Sequence, residues 1–255
     1  MKYRGYIVSH GGNVRINNED NGYLDGYYRL NDKEFAWNYE KEKENSIMTA
    51  VFDGMGGEDN GEVASRLAVR TMYAMKNRRF SDITEEYTIN AGKKIQNHAN
   101  GTHMGTTYTA LSVEDNVYYF SNLGDSRGYL FRDGVLTQMT KDHNMIQEML
   151  RNGILTEEQA QKHPDRHTLY QYLGMREEEE EIEPEPYIAE PVEAQNGDIC
   201  LLCTDGLTDM LSDQEISDIL SEKQLLEEKI QKLLKTALEH GGKDNITILL
   251  LEADI

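Results

Sequence analysis

The chain has 255 residues, of which 26 are basic and 46 acidic, so its formal net charge at pH 7 is −20. A surface this negative repels nucleic acid and anionic lipid, and we expect neither a nucleic acid nor a membrane as a partner. The sequence shows no signal peptide and no apolar run near the ~18 residues of a transmembrane helix, so we expect a cytoplasmic location. No linker rich in Gly, Ser or Pro divides the chain; we expect one domain over residues 1–255, and a monomer.

The first half of the chain begins with a strand-like run at residues 2–8, followed by a polar segment and a Tyr-rich stretch that reaches residue 37. A turn of acidic and basic residues is predicted at 40–45, before a short apolar run at 46–52 that is typical of a buried strand. Apolar residues then recur every three or four positions over 62–75 and over 83–98. This spacing predicts two helices that lie on a sheet.

The second half continues with strands separated by turn signals, which indicate antiparallel hairpins. The segment 144–174 is predicted to be helical in part, with a capping box at Thr156 to Gln159, and we expect it to form a mobile flap. An acidic run at 177–181, followed by three prolines, predicts a solvated loop. The predicted strands of this half are 106–111, 117–123, 128–131, 135–139, 198–203 and 245–251, and the predicted helices begin at Ser212, with Glu215 in a capping box, and at Leu226.

The grouping of helices in two pairs around antiparallel strands predicts an α+β fold. Helices would cover the outer faces of packed antiparallel sheets, in contrast to a doubly wound parallel sheet.

Four aspartates stand next to glycine or asparagine at the edges of apolar runs: Asp53, Asp125, Asp205 and Asp244. The first three follow their runs, whereas Asp244 precedes its own, so an antiparallel last strand would bring all four to one rim. Four carboxylates without a cation would repel one another, and oxygen ligands with few His or Cys nearby suit Mg²⁺ or Mn²⁺. The alternative is that Asp-Gly only marks turns, but four occurrences beside strand signals favour a metal site.

The segment VRINNED adds Arg15, Glu19 and Asp20 ahead of the first of these aspartates. The planar guanidinium of Arg15 suits phosphate oxygens, and Glu19 could contact a metal directly or through water. An arginine near acids is usually a surface salt-bridge partner, but beside a carboxylate cluster it becomes a candidate substrate anchor.

Cys200 and Cys203 form a CxxC pair in a predicted strand. Residues three apart in a strand face opposite sides, so the two sulfurs could not chelate one ion. We expect two buried, apolar cysteines.

Seven segments in order resemble the metal-dependent protein serine/threonine phosphatases (the PPM, or type 2C, family) of bacterial type. They are VRINNED, VFDGMGGEDNGEVAS, MGTTYTAL, LGDSRGYLFRDG, LTQMTKDHN, CTDGLTDML and GGKDNIT. The resemblance runs from about Gly5 to Leu251. It implies a four-layer αββα sandwich, in which two packed antiparallel sheets are flanked by helices, and it implies that the segment 144–174 is the flap that affects substrate access.

The resemblance also implies a binuclear centre of Mn²⁺ or Mg²⁺. Asp53 would bridge both ions, the Gly54 carbonyl would hold one, and Asp205 and Asp244 would hold the other. Asp125 and Asp205 match the ligands of an additional, weaker third metal site. Arg15 would bind phosphate. Glu19 and Asp20 match the acidic pair that adjoins this arginine in the family, and they would act on the metal through water or from behind its direct ligands.

The function implied is hydrolysis of phosphoserine and phosphothreonine esters in proteins, by in-line attack of a hydroxide activated between the ions. Expected partners are phosphorylated proteins and a cognate serine/threonine kinase. Many eukaryotic relatives carry a histidine, the proposed general acid, at the position of Met55. Met55 cannot donate a proton, so two candidates for the proton donor stay open: a metal-bound water and His10. Two alternatives stay open: a catalytically silent binding module with this fold, and a phosphatase of a small phosphorylated metabolite.

Overall fold

A computed structural model of the protein describes residues 1–29, 36–56, 60–100, 102–161, 163–175 and 184–254. The strands are β1 (Lys2–His10), β2 (Asn21–Leu24), β3 (Tyr27–Tyr28), β4 (Ala36–Glu44), β5 (Ser46–Phe52), β6 (Gly54–Gly56), β7 (Met104–Thr106), β8 (Tyr108–Glu114), β9 (Val117–Leu123), β10 (Arg127–Arg132), β11 (Val135–Gln138), β12 (Tyr187–Ile188), β13 (Val192–Glu193), β14 (Ile199–Cys203) and β15 (Ile246–Asp254). The helices are α1 (Gly61–Ala74), α2 (Thr84–Ala99), α3 (Met145–Arg151), α4 (Glu157–Gln161), α5 (Asp205–Thr208), α6 (Asp213–Ser221) and α7 (Leu226–Glu239).

Most of these strands form two antiparallel sheets. The first sheet has the order β11-β10-β14-β15-β1-β4, and the second has the order β12-β9-β8-β5-β2-β3, with β13 also paired to β9. A separate ribbon of β6 and β7 lies at the end of the second sheet, just after β5. Within the described ranges, no helix is both long and apolar enough to cross a membrane.

The alternation of side chains along β15 shows how the layers pack. Leu249 and Leu251 point into the core between the two sheets, whereas Ile248 and Leu250 point to the core beneath α6 and α7. A third core lies between the second sheet and the pair α1 and α2. The predicted α+β fold, a four-layer αββα sandwich, is confirmed.

The prediction of a turn at 40–45 is wrong. These residues belong mostly to strand β4, which pairs with β1 along its whole length. The pairing is supported by ion pairs from Glu42 to Lys2, at 2.6 Å, and to Arg4, at 2.9 Å. An edge strand can carry many charged residues because one of its faces meets water, and this hides the strand signal in the sequence. The chain turns only at Asn45, which has a φ of 63°.

Two other segments differ from their predictions. The predicted strand 106–111 is broken at Thr107 into β7 and β8, and part of the proline-containing region forms the short strands β12 and β13. The acidic run at 177–181 lies outside the described residues. Cys200 packs between the sheets and Cys203 packs against the helices, both buried and free, so the prediction that they face opposite sides is confirmed.

Truncation of Leu249, which is fully buried between the sheets, tests this packing. We expect Leu249→Ala to lower the free energy of unfolding by about 2–5 kcal/mol, because the cavity left behind cannot collapse fully. Urea denaturation followed by circular dichroism measures the change. The matched control is Leu225→Ala, at a position that is 65% exposed, which should cost less than about 0.5 kcal/mol. Equal losses in both variants would contradict the packing.

Candidate metal centre

The predicted aspartates meet at one end of the sandwich, in a cleft of about 330 Å³. Asp53 follows β5 and Asp125 comes just after β9, and these two strands point the same way because β8 is antiparallel to both. Asp205 follows β14 and Asp244 precedes β15 in the other sheet, whose antiparallel pairing brings the two positions together as predicted. The described residues lining the cleft are Arg15, Glu19, Asp53, Gly54, Met55, Gly56, Thr107, Asp125, His167, Leu169, Tyr172, Asp205, Asp244 and Asn245.

The backbone around Asp53 is fixed by hydrogen bonds to β7 and to the residue after it. The Asp53 carbonyl accepts from the Thr107 amide at 2.9 Å and from the Thr106 hydroxyl at 2.8 Å. Gly54 is packed so closely against the backbone of Gly61 and Glu19 that a side chain could not fit there. Packing therefore requires a glycine directly after Asp53.

The carboxyl groups repel one another strongly in this cleft. Burial and the neighbouring carboxyls of Asp20, Asp205 and Asp244 raise the pKa of Asp53 well above its usual value. Burial and Asp205 likewise raise the pKa of Asp125 to about 8. Burial acts to raise the pKa of Asp205 too, but hydrogen bonding to His167 and Asp53 outweighs it and holds that pKa below its usual value. Proximity of this kind is expected where cations normally balance the charge.

Arg15 reaches into the same cleft from the loop between β1 and β2. Its Nη2 atom lies 2.6 Å from Oδ2 of Asp244, and this hydrogen bond raises the pKa of the guanidinium. The Arg15 side chain lines the cleft and is 54% exposed. A planar cation at this position can bind the oxygens of a phosphate placed beside the carboxylates.

Glu19 and Asp20 take different positions. Glu19 lines the cleft and its carboxylate accepts a hydrogen bond from Asn17 at 3.1 Å. Asp20 is fully buried behind the cleft, where Oδ2 accepts from the hydroxyls of Thr204 at 2.9 Å and Thr247 at 2.7 Å. Burial raises the pKa of Asp20 to about 8, against the effect of the two hydroxyls. Asp20 does not line the cleft and instead places a further buried carboxyl group beneath the other aspartates.

The donors present fit divalent cations such as Mn²⁺ and Mg²⁺. Apart from His167, the candidate ligands in the cleft are carboxylate oxygens and the Gly54 carbonyl, the hard donors that these ions prefer. Buried Oδ1 of Asp20 has no hydrogen-bond partner among the described residues, so one more carboxyl oxygen near the cleft is left without a polar contact.

His167 and Asp209 are the residues that the sequence reasoning missed. His167 Nδ1 lies 3.5 Å from Oδ2 of Asp205, and its Nε2 lies 3.5 Å from Oδ2 of Asp209. The hydrogen bond to Asp205, more than the other nearby charges, raises the pKa of His167. The only sequence signal was that His167 belongs to the predicted flap, since no local pattern links it to Asp205.

Two other histidines, His10 and His143, hold loops in place through their ring nitrogens. Nδ1 of His10 accepts from the Gly12 amide at 3.0 Å, and His10 is not among the described residues that line the cleft. Nδ1 of buried His143 accepts from the Gly124 amide at 3.0 Å, next to Asp125.

The segment 144–174, which was predicted to form a flap, is attached to the sandwich near its last residues. Leu173 exchanges two backbone hydrogen bonds with Thr106, at 2.9 Å and 3.1 Å. A second cavity of about 850 Å³ lies between α3, α4 and the region of α5 and α6, and it shares Asp125, His167 and Asp205 with the cleft. The second cavity therefore extends the space in front of the aspartates beyond the cleft.

Comparisons with known proteins identify the family of this chain. The family model described as protein phosphatase 2C matches residues 31–247. The chain belongs to the protein phosphatase 2C family. It is 36% identical over 258 residues to the serine/threonine phosphatase stp of Listeria monocytogenes, covering 96% of this chain and 93% of that protein.

Solved structures of family members have the same fold. The Mycobacterium tuberculosis serine/threonine phosphatase PstP/Ppp is 32% identical, with a TM-score of 0.81 and full coverage of both chains. The catalytic domain of PstP in complex with two manganese ions is 30% identical, with a TM-score of 0.78 and full coverage of both chains. The Streptococcus agalactiae serine/threonine phosphatase is 27% identical, with a TM-score of 0.82, and the match covers 99% of this chain and 100% of that one.

Neutralising Asp53 tests the charge repulsion in the cleft. The pKa of this carboxyl is higher in the folded chain than in the unfolded one, so its ionised form destabilises the metal-free fold at neutral pH. We therefore expect Asp53→Asn to raise the melting temperature in EDTA. Mn²⁺ at 100 times its Kd should stabilise the unsubstituted protein by about 2.7 kcal/mol, and this gain should disappear in the variant.

Thermal unfolding at pH 7.5, with EDTA or with MnCl₂, measures both effects. The control is Asp254→Asn, at an exposed position in β15, which should change neither melting temperature. A lower melting temperature of Asp53→Asn in EDTA, or full stabilisation of it by Mn²⁺, would show that repulsion at Asp53 does not govern the cleft.

Proposed function

We propose that this protein is a metal-dependent protein serine/threonine phosphatase, formed as one domain over residues 1–255, that hydrolyses phosphoserine and phosphothreonine esters. The observation that carries the proposal is the position of the Arg15 guanidinium, 2.6 Å from Asp244, in a cleft lined by three other strand-end aspartates. A phosphate-binding cation beside a carboxylate cluster is the arrangement that phosphoryl transfer needs. Membership of the protein phosphatase 2C family supports the same activity.

In this proposal Asp53, the Gly54 carbonyl, Asp205 and Asp244 would hold a pair of ions, and Asp125 with Asp205 would hold a third. Mn²⁺ or Mg²⁺ is the expected metal, and the relative solved with two manganese ions supports Mn²⁺. When bound, the ions supply Lewis-acid activation of water and compensate negative charge on the phosphoryl group.

The chain's own residues bind and orient the substrate. Arg15 donates to the phosphoryl oxygens and fixes their direction, and it stabilises negative charge that develops on them. The hydrogen bonds of Thr106 and Thr107 keep Asp53 at a constant position during this process. Glu19 borders the cleft beside Arg15, and Asp20 lies buried behind the cleft.

The two alternative functions fit the cleft less well. A silent binding module has no need for Arg15 together with the full set of aspartates. A small metabolite would fill only the cleft, whereas the adjoining cavity of about 850 Å³ offers room for the side chains of a protein substrate. We propose phosphorylated proteins as substrates, a cognate serine/threonine kinase as the opposing enzyme, and a cytoplasmic monomer as the working form.

Phosphate release from a phosphothreonine peptide tests the activity. We expect the Mn²⁺-loaded protein to release phosphate, and EDTA to abolish the release. Asp205→Asn should lower kcat/KM by at least about 100-fold, because it removes a charged metal ligand. Asp254→Asn, the exposed control, should keep the activity. A folded protein that releases no phosphate with either Mn²⁺ or Mg²⁺ would refute the proposal.

We propose that Asp125 matters less for metal binding than Asp53, Asp205 and Asp244, and this ranking can be tested by replacing Asp125. We expect Asp125→Ala to keep the two-ion pair and lose the third ion, because Asp125 is not a ligand of the pair in this proposal. Metal analysis after dialysis and crystallographic metal density measure the occupancy of each site. Asp53→Ala is the comparison that should lose the pair. Disappearance of the pair from Asp125→Ala would show that the ranking is wrong.

A further inference from the structure

The side chain of Asn245 holds the backbone on both sides of Arg15. Arg15 stands in the loop between β1 and β2, whereas Asn245 comes directly before β15. Oδ1 of this asparagine accepts from the Glu19 amide at 2.7 Å, and its Nδ2 donates to the carbonyls of Gly11 at 3.1 Å and Asn17 at 2.9 Å. One side chain therefore joins the two halves of the loop that carries the arginine.

An asparagine amide offers the groups that these three contacts need. Its oxygen accepts from an N–H, and its nitrogen carries two hydrogens, one for each carbonyl. Asn245 is 6% exposed, so water has little access to replace these hydrogen bonds. Removal of the amide would leave one N–H and two carbonyls of the loop without this partner.

The outer part of the loop has little packing of its own. Val14 is 65% exposed and Ile16 is 95% exposed, on either side of an exposed arginine. With so little buried apolar surface, hydrogen bonds at the base of the loop must set its position. The Asn13 amide supplies one on the first side, to the Gly242 carbonyl at 2.7 Å, and Asn245 supplies those on the second side.

The same asparagine also holds the carboxylate that the arginine contacts. Its backbone amide donates to Oδ1 of Asp244 at 2.8 Å, while Nη2 of Arg15 lies 2.6 Å from Oδ2. The loop lies close against this backbone, since a Cβ at Gly12 would come within 2.2 Å of the Asp244 carbonyl oxygen. Asn245 thus fixes a candidate metal ligand through its backbone and the candidate phosphate-binding loop through its side chain.

We infer, on the basis of the proposed function, that Asn245 is a positioning residue that holds the Arg15 guanidinium at the distance from the aspartates that a bound phosphoryl group spans. In this role Asn245 acts through the arginine and its loop, and binds neither the phosphate nor the ions. Displacement of such a group by about 1 Å can lower a rate by about 100-fold.

A double-mutant cycle with Arg15 tests the inference. Asn245→Ala, Arg15→Ala and the double variant are assayed with Mn²⁺ and a phosphothreonine peptide. We expect each single substitution to lower kcat/KM by about 10- to 100-fold, with a higher KM. The double variant should lie within about twofold of Arg15→Ala, because the asparagine acts through the arginine. Independent, multiplying losses in the double variant would overturn the inference.

The affinity for Mn²⁺ separates positioning of the arginine from damage to the metal centre. Alanine keeps the backbone amide that bonds to Asp244, so the Kd for Mn²⁺, measured by calorimetry, should stay nearly unchanged in Asn245→Ala. Loss of Mn²⁺ binding in this variant would contradict a role that runs through Arg15.

Asn122 is the matched control. It is fully buried, and its side chain donates to the carbonyls of Gly124 at 3.1 Å and Lys141 at 2.9 Å and accepts from the Lys141 amide at 3.2 Å. We expect Asn122→Ala to lower the melting temperature, but to change kcat/KM by the same factor with and without Arg15. Equal coupling of both asparagines to Arg15 would indicate a general loss of structure and would overturn the inference.

A crystal structure of Asn245→Ala separates this inference from the proposed function, because it needs neither turnover nor bound phosphate. Movement of the Arg15 guanidinium out of hydrogen-bond distance of Asp244 supports the inference even if the protein releases no phosphate. An arginine that keeps its position overturns the inference even in an active phosphatase. If Asn245→Ala does not fold, Asn245→Ser, which keeps one hydroxyl, is used for the same measurements.

Discussion

Repulsion among buried carboxyl groups is the constraint on which the active end of this molecule depends. Asp53, Asp125, Asp205 and Asp244 share one cleft, and Asp20 adds a further buried carboxyl behind them. Folding must hold these charges together against their mutual repulsion, which cations are suited to compensate. Burial raises the pKa of Asp53, and the neighbouring carboxyls raise it further.

The sandwich supplies the rigidity that such a cluster needs. Each aspartate stands at the end of a strand, and the strands belong to two sheets packed through one apolar core. Movement of one aspartate away from its neighbours would disturb the pairing or the packing of a whole strand. The loops that complete the site are fixed in a similar way, since Asn245 bonds to the carbonyls of both Gly11 and Asn17.

Much of the fold and site could be predicted because the signals were local. A buried strand ending in Asp-Gly, a helix with apolar residues on one face and a capping box at Ser212 depend mainly on neighbouring residues. Strand β4 was missed because its charged residues are allowed by an exposed edge and are paired to Lys2 and Arg4. His167 was missed because its contact with Asp205 joins two segments that are distant in the sequence.

The sequence by itself determined the family resemblance, the candidate ligands and their chemistry, because oxygen donors, strand signals and motif order are properties of the chain. Only the tertiary structure decided which carboxyls line the cleft, that Asp20 lies behind it, and that His167 and Asp209 meet Asp205. The physical reason is that charge interactions depend on distance and burial. Both are set by how the two sheets and the segment 144–174 pack together, which no short segment specifies.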